Sequence, residues 1–269
     1  MRKKENGRWD NKTSISFIAL LVFIAMMVSS INACGYLGIF GEASWKEEVL
    51  LHDGSKIIVK RWQKLKGRHE IGQRPPVGEQ SITFTIPGTK DTITWKDEYS
   101  KEIGCSNFEL LALHILNSAP YIITTPRLCL SYNKWGRPNP PYVIFKYENN
   151  TWKRIEFAEL PAEFKNINLV INTLYHDQKL VSQGLASAEM ITKLNRSLTQ
   201  PEYKEIIRTS VEGVGCRELV TDGRGTWMSI YKFKEQPSYE ACLKICNRER
   251  FDAEHCPCSK FFKINAKEK

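Results

Sequence analysis

The chain has 269 residues, of which 42% are hydrophobic, 26% charged and 11% aromatic, and its formal net charge is +9. These proportions are typical of a folded globular protein, and they exclude a disordered, collagen-like, coiled-coil or polytopic membrane protein. The sequence contains no G-x-S-x-G motif, no Walker loop and no G-x-G-x-x-G motif after a strand. We therefore predict no catalytic residue, no cofactor and no resident metal, and the sequence favours a protein that is not an enzyme.

The N-terminus combines a basic flank with an apolar run. Five basic residues stand within residues 1–12, and every residue from Thr13 to Gly41 is uncharged. The strongly apolar part, Ile15 to Val28, spans 14 residues. That is the length of a signal-peptide core and short of the 20 or so residues of a membrane span. Because basic residues before an apolar segment hold it with its N-terminus inside, the chain after about residue 41 is predicted to be exported.

A short motif follows the apolar run. Ile31-Asn32-Ala33-Cys34-Gly35 resembles the lipobox of bacterial lipoproteins, and the resemblance covers only about the first 35 residues. It implies cleavage before Cys34 and lipidation of that cysteine, which would anchor the protein in the cell envelope, with its bulk in the periplasm or outside the cytoplasmic membrane. Two alternatives stay open, namely an uncleaved helix over residues 15–40 and cleavage to a free soluble form.

The elements that follow predict an α+β fold. Three hairpins are expected, the first turning at Asp53-Gly54 in a type I′ turn, the second joining Ser81–Ile86 to Thr92–Trp95, and the third turning at Glu148-Asn149-Asn150. The stretch from Phe108 to Ile115 is ambiguous between helix and strand. Between the second and third hairpins, a proline-rich loop from Tyr132 to Tyr142 is rigid enough to present Trp135 and Arg137 to a ligand. The alternative is that Trp135 packs over the core.

Helices dominate after Leu160. The pattern predicts a helix over Ser187–Leu198, a second helix begun by a Thr199/Glu202 capping box, a strand over Thr226–Lys232, and a helix from Ser238 to about Arg250. The predicted organisation is a signal peptide or anchor over 1–33, a tether over 34–44, a β-rich part over 45–160 and a helical, cysteine-rich part over 161–269. Residues 45–269 are expected to form one globular unit.

Eight cysteines are present, and an exported compartment favours disulfides for those after Cys34. The spacing favours a nested pairing of Cys242 with Cys258 and of Cys246 with Cys256. Cys105 and Cys129 are candidates for a further bridge, and Cys216 is either the odd thiol or a third partner. The rival interpretation is a zinc or copper site that also uses His255.

The net charge of the chain indicates which classes of partner it suits. Residues 1–14 carry five basic and two acidic side chains, so +6 of the net charge of +9 remains for the rest of the chain. Such an excess suits anionic headgroups or envelope polymers, but it is equally typical of an ordinary domain that is kept in solution by its charge. Export argues against nucleic acid as a partner. The basic stretch from Lys60 to His69 is either a binding patch or a solvated loop or strand end. The sequence thus predicts an envelope-anchored binding or scaffolding module. The alternatives are an exported enzyme with an unrecognised site and a metal or thiol-redox protein.

Overall fold

A computed structural model of the chain describes residues 41–171, 173–212 and 215–262. The predicted apolar anchor and the lipobox cysteine Cys34 lie outside these residues. Within the described ranges, no helix has both the length and the apolarity that crossing a bilayer requires. Gly41 and the residues after it form one compact unit. Its first strand already begins at Glu42, so the last three residues of the predicted tether belong to the fold.

Two sheets fill the N-terminal part of the described chain, and helices and paired cysteines follow, which confirms the predicted α+β class. One sheet has five strands in the order β4-β3-β2-β1-β9, another has four in the order β5-β6-β7-β8, and β10 and β11 form a small hairpin. All neighbours are antiparallel except β1 and β9. The strands are β1 (Glu42–Leu50), β2 (Lys56–Leu65), β3 (Val77–Thr85), β4 (Thr92–Asp97), β5 (Phe108–Leu116), β6 (Ala119–Pro126), β7 (Val143–Glu148), β8 (Thr151–Ile155), β9 (Leu185–Ala186), β10 (Leu219–Thr221) and β11 (Trp227–Ser229). The helices are α1 (Leu128–Lys134), α2 (Thr173–Gln183), α3 (Ala188–Arg196), α4 (Tyr231–Lys234) and α5 (Tyr239–Arg248).

The three predicted hairpins are confirmed as β1–β2, β3–β4 and β7–β8. The turn predicted for the first is wrong. Only Gly54 has a positive φ there (85°), and the Leu51 amide donates to the Ser55 carbonyl at 2.8 Å, so three residues form the loop. Type I′ geometry occurs instead in the third hairpin, where Asn149 and Asn150 have φ values of 51° and 59°.

The four-stranded sheet is covered on both faces. One face packs on the five-stranded sheet through a core that includes Val59, Ile82 and Leu113. The other face is covered by the segment between β8 and α2, which contributes Phe164 and Ile167. Every residue of β5 except the last is therefore buried. This double burial removes the polar alternation by which half-exposed strands are recognised, and it explains why the sequence is ambiguous there.

Two predicted helices are confirmed and one is wrong. Ser187 caps α3 by accepting from the Met190 amide, and Ser238 caps α5 by accepting from the Ala241 amide, both at 3.2 Å. The helix predicted after Thr199 is only a 3₁₀ turn over Pro201–Tyr203. The backbone turns away there because the Ile206 amide donates to the Lys165 carbonyl at 2.8 Å. The strand predicted over Thr226–Lys232 is shorter, since it ends at Ser229 and α4 follows.

His114 is a fully buried histidine in β5 whose charged form the fold disfavours. Its Nε2–H donates to the Asn166 carbonyl at 2.9 Å, its ring stacks on Phe164, and its Nδ1 has no partner within the described residues. Burial, opposed by the Asn166 hydrogen bond and reinforced by His52, lowers the pKa of His114 from 6.5 to about 4. The neutral ring is therefore the form that suits the folded state.

The lowered pKa of His114 predicts that the fold becomes less stable as the pH is lowered. The unfolded chain binds a proton at His114 below pH 6.5, whereas the folded chain does so only near pH 4, so stability falls as the pH is lowered through that window. The loss by pH 4 is about 3 kcal/mol. Urea unfolding from pH 7 to pH 4 should show His114→Gln losing less stability than the wild type, with exposed His69→Gln as the control. Parallel curves for His114→Gln and the wild type would contradict this assignment.

Candidate functional site: a basic cleft

The C-terminal cysteines form two disulfides, and the nested pairing is confirmed. Cys242 pairs with Cys258 and Cys246 with Cys256, with Cα–Cα separations of 5.8 and 5.7 Å. Helix α5 carries one cysteine of each pair one turn apart, and the segment that returns after the helix carries the others. Phe233 and Phe251 are buried against this unit, which we call the C-terminal disulfide unit.

The prediction that joined Cys105 to Cys129 is wrong. Cys129 at the start of α1 pairs with Cys216, across 87 residues of sequence, and Cys105 is a buried free thiol. The Arg137 guanidinium adds to this link, since it donates to the carbonyls of Cys216 and Arg217 at 2.9 and 3.1 Å. Burial raises the pKa of the Cys105 thiol, with a smaller opposing effect of Arg127, so the thiol stays protonated and is a weak nucleophile.

The sulfur atoms of Cys246, Cys256 and Cys258 lie within 4.8 Å of one another, close enough to share a metal ion. Here all three belong to the C-terminal disulfide unit, and a sulfur in a disulfide does not supply the thiolate that zinc or copper requires. His255 does not join this group. Its Nδ1 lies 2.7 Å from a carboxylate oxygen of Asp252, and its ring packs over Gly223.

The two residues predicted to present a ligand surface contact the protein itself. The Trp135 ring lies 4.6 Å from the Phe108 ring and packs against the core, while its Nε1 donates to Asn107. The guanidinium of Arg137 is occupied by the 216–217 segment and lies over the Tyr132 ring. The proline-rich loop therefore joins parts of the fold, and its two candidate residues are not brought to a common open site.

The basic stretch from Lys60 to His69 is divided by the alternation of β2. Lys60 is exposed on the outer face of the five-stranded sheet, whereas Arg61 and Gln63 are buried on the inner face. Beyond the end of β2 the chain enters the loop 66–76, which carries Arg68 and His69 into an open cleft.

This cleft, which we call the basic cleft, lies where four segments meet and encloses about 640 Å³. The segments are the loop 66–76 between β2 and β3, the segment 98–105 after β4, the start of α1, and the β10–β11 turn. Among its described lining residues are four that carry positive charge, together with His69 and one carboxylate. The four cationic residues are Arg68, Arg74, Lys101 and Arg224. The carboxylate, Glu102, is already paired with Lys134 at 3.3 Å. Arg224 is paired with Asp222 at 3.3 Å, whereas Arg68 and Lys101 have no ion-pair partner within the described part of the chain. These two side chains give the cleft a positive charge that suits an anionic ligand.

Close backbone contact builds the cleft. Gly67 has a φ of 134° and packs so tightly on the Gly104 carbonyl that a Cβ at this position would collide with it. The segment 98–105 is folded on itself, since the Ser100 and Cys105 backbones form a bridge and the Gly104 amide donates to the Ser100 carbonyl at 2.8 Å. The loop 66–76 and the segment 98–105 therefore hold each other in place before any ligand arrives.

The remaining walls are tied to the disulfide-linked parts of the fold. Lys134 of α1 donates to the Ser100 hydroxyl as well as pairing with Glu102, and the Trp227 indole donates to the Glu102 carbonyl at 2.9 Å. Arg224 is held by Asp222 and by a hydrogen bond from its guanidinium to the Arg250 carbonyl, just beyond α5. The Cys129–Cys216 bridge and the C-terminal disulfide unit thus support two sides of the basic cleft.

The sequence pattern indicates only one edge of the basic cleft. Arg68 and His69 close the basic stretch that the sequence singles out, but Lys101 and Arg224 stand alone in their own segments. Only the fold brings them together. No protein family, curated protein or solved structure matches this chain, so the geometry of the cleft is the evidence on which its function is argued.

Proposed function

We propose that this chain is a membrane-anchored, exported binding protein whose basic cleft takes an anionic ligand. Arg68 and Lys101 carry the proposal, because both line a preformed concave site and neither has an ion-pair partner within the described residues, while the carboxylate that lines the site is already paired. Such a site binds phosphate or carboxylate groups by charge-assisted hydrogen bonds.

Other features support the proposed membrane anchor and the proposed oxidising compartment. The basic flank, the apolar run and the motif ending in Cys34 support export and attachment through a lipid or an uncleaved helix. The three disulfides among the described cysteines support an oxidising compartment, where such bonds persist. A binding role also agrees with Cys105, the described free thiol, being buried and protonated.

The proposal is tested by anion binding to the full chain in zwitterionic detergent. Pyrophosphate should bind in isothermal titration calorimetry, and Arg68→Gln/Lys101→Gln should weaken binding about tenfold or more, since each charge-assisted hydrogen bond contributes about 1.5–3 kcal/mol. The matched control, Lys60→Gln/Lys96→Gln, removes the same charge from the exposed face of the five-stranded sheet and should change binding less than about twofold.

Raising sodium chloride from about 50 to about 300 mM should weaken binding to the wild type more than to the cleft variant. An equal loss in the cleft and control variants would show that the affinity comes from net charge and not from the cleft. No measurable binding of pyrophosphate to the wild type at low salt would contradict the proposed function itself.

A further inference from the structure

The basic cleft opens at the end of the five-stranded sheet where the chain enters the fold. Gly41, the first described residue, accepts a hydrogen bond from the Leu65 amide at 2.7 Å, which places it beside the last residue of β2. Arg68 follows Leu65 by three residues, a chain length of at most about 11 Å. The loop that begins the cleft and the entry point of the chain therefore share one end of the sheet.

Under the proposed function the tether keeps this end within a short distance of the membrane. Cys34 precedes Gly41 by seven residues, and seven residues span at most about 25 Å even when fully extended. An uncleaved helix ending near Phe40 would bring the entry point closer still. The tether thus keeps the basic cleft at a high effective concentration of headgroups, at which even a weak site is occupied.

A second observation at the same end points to a lipid surface. Ile71 in the loop 66–76 is fully exposed, and Leu128 at the edge of the cleft is 75% exposed. Leu128 also has a φ of 59°, a left-handed conformation that is unfavourable for a branched side chain. Exposed apolar side chains beside a group of arginines and lysines are typical of surfaces that lie in a membrane interface.

From these observations we infer that the basic cleft binds the phosphate groups of anionic phospholipid headgroups in the membrane that anchors the chain, while Ile71 and Leu128 enter the interface beside them. This inference rests on the proposed function. Phosphate is the chemistry that a lipid headgroup shares with a soluble phosphate ester. A bilayer, unlike a soluble phosphate ester, also offers an apolar layer to the two exposed side chains. Each cation close to an anionic bilayer contributes roughly a fivefold factor in affinity.

The test is hydrogen–deuterium exchange of the full chain in nanodiscs. In discs that contain about one third phosphatidylglycerol, the amides of 66–76 and 98–105 should exchange at least about threefold more slowly than in pure phosphatidylcholine discs. This protection should be lost in Arg68→Gln/Lys101→Gln and in Ile71→Ser/Leu128→Ser. It should persist in the controls Lys60→Gln/Lys96→Gln and Ile58→Ser, which alter exposed residues on the outer face of the five-stranded sheet.

A separate arm distinguishes the sources of phosphate. Glycerol phosphate is added to phosphatidylcholine discs. If it protects the two segments and phosphatidylglycerol does not, the lipid inference is overturned and the proposed anion site stands. If neither ligand protects them, both proposals fail. Unchanged protection in Ile71→Ser/Leu128→Ser would overturn the interfacial role of these side chains, and a chain that stays out of all discs would contradict the proposed anchor.

Discussion

Replacing Cys129 and Cys216 together by serine should lower the free energy of unfolding by about 4 kcal/mol, the largest stability loss that we expect from removing a cross-link here. The bridge joins residues 87 apart in sequence, so its loss frees a long loop in the unfolded chain, and the chain-entropy cost of closing a loop grows with its length. The half-buried position of both cysteines allows serine to be accommodated.

Denaturant unfolding under non-reducing conditions measures this loss, and Cys105→Ala is the control. That variant also removes a thiol but breaks no cross-link, and its cost should stay near 1 kcal/mol. Because the bridge also supports α1 beside the basic cleft, we expect the serine variant to bind pyrophosphate more weakly at temperatures where it remains folded. A serine variant as stable as the wild type would show that the bridge constrains nothing.

The second large effect is expected at Glu47, a fully buried carboxylate on the inner face of β1. One of its oxygens accepts from the Arg61 guanidinium at 3.0 Å and from the Trp45 indole at 2.7 Å, and the other accepts from the Val170 amide at 3.1 Å. Arg61 itself is 2% exposed and lies beside the Trp45 ring. Removing the carboxylate would leave a buried charge and two buried donors without their acceptor.

Glu47→Ala should therefore destabilise the fold by about 3–5 kcal/mol. The neighbouring Glu48 is a matched control, because it points to the opposite face of the same strand and pairs with Lys56 at the surface. Glu48→Ala should cost less than about 1 kcal/mol. Thermal unfolding of the two variants gives the comparison, and the double variant Glu47→Leu/Arg61→Met should regain part of the loss because it removes both charges. Equal losses at positions 47 and 48 would contradict the account of this buried pair.

Much of the fold can be predicted from local patterns, and the errors have physical reasons. The hairpins of the five-stranded sheet alternate because one of its faces is solvated, and α3 and α5 carry serine caps that mark their starts. Local sequence patterns predict the wrong element, or none, where tertiary contacts determine the secondary structure. The strand β5 is buried on both faces, and the apolar residues after Thr199 pack on the back of the four-stranded sheet instead of continuing a helix.

The same distinction applies to the candidate site. The nested disulfides are predictable because a helix and a short return bring the cysteines together within 16 residues. The bridge between Cys129 and Cys216 joins α1 to a segment 87 residues away, which also accepts hydrogen bonds from Arg137, and no local spacing reveals this contact. The basic cleft is likewise non-local, since its cations come from segments that the sequence separates by as many as 156 residues, from Arg68 to Arg224.

The most direct test of the basic cleft is to locate a bound anion in it. Crystals of the full chain grown with selenate, a tetrahedral oxyanion with a strong anomalous signal, should show a selenium peak that places the selenate oxygens within hydrogen-bonding distance of Arg68 and Lys101. The same crystals of Arg68→Gln/Lys101→Gln should lack that peak. A selenium peak that appears only at the exposed lysines of the five-stranded sheet, with none in the cleft, would contradict the account.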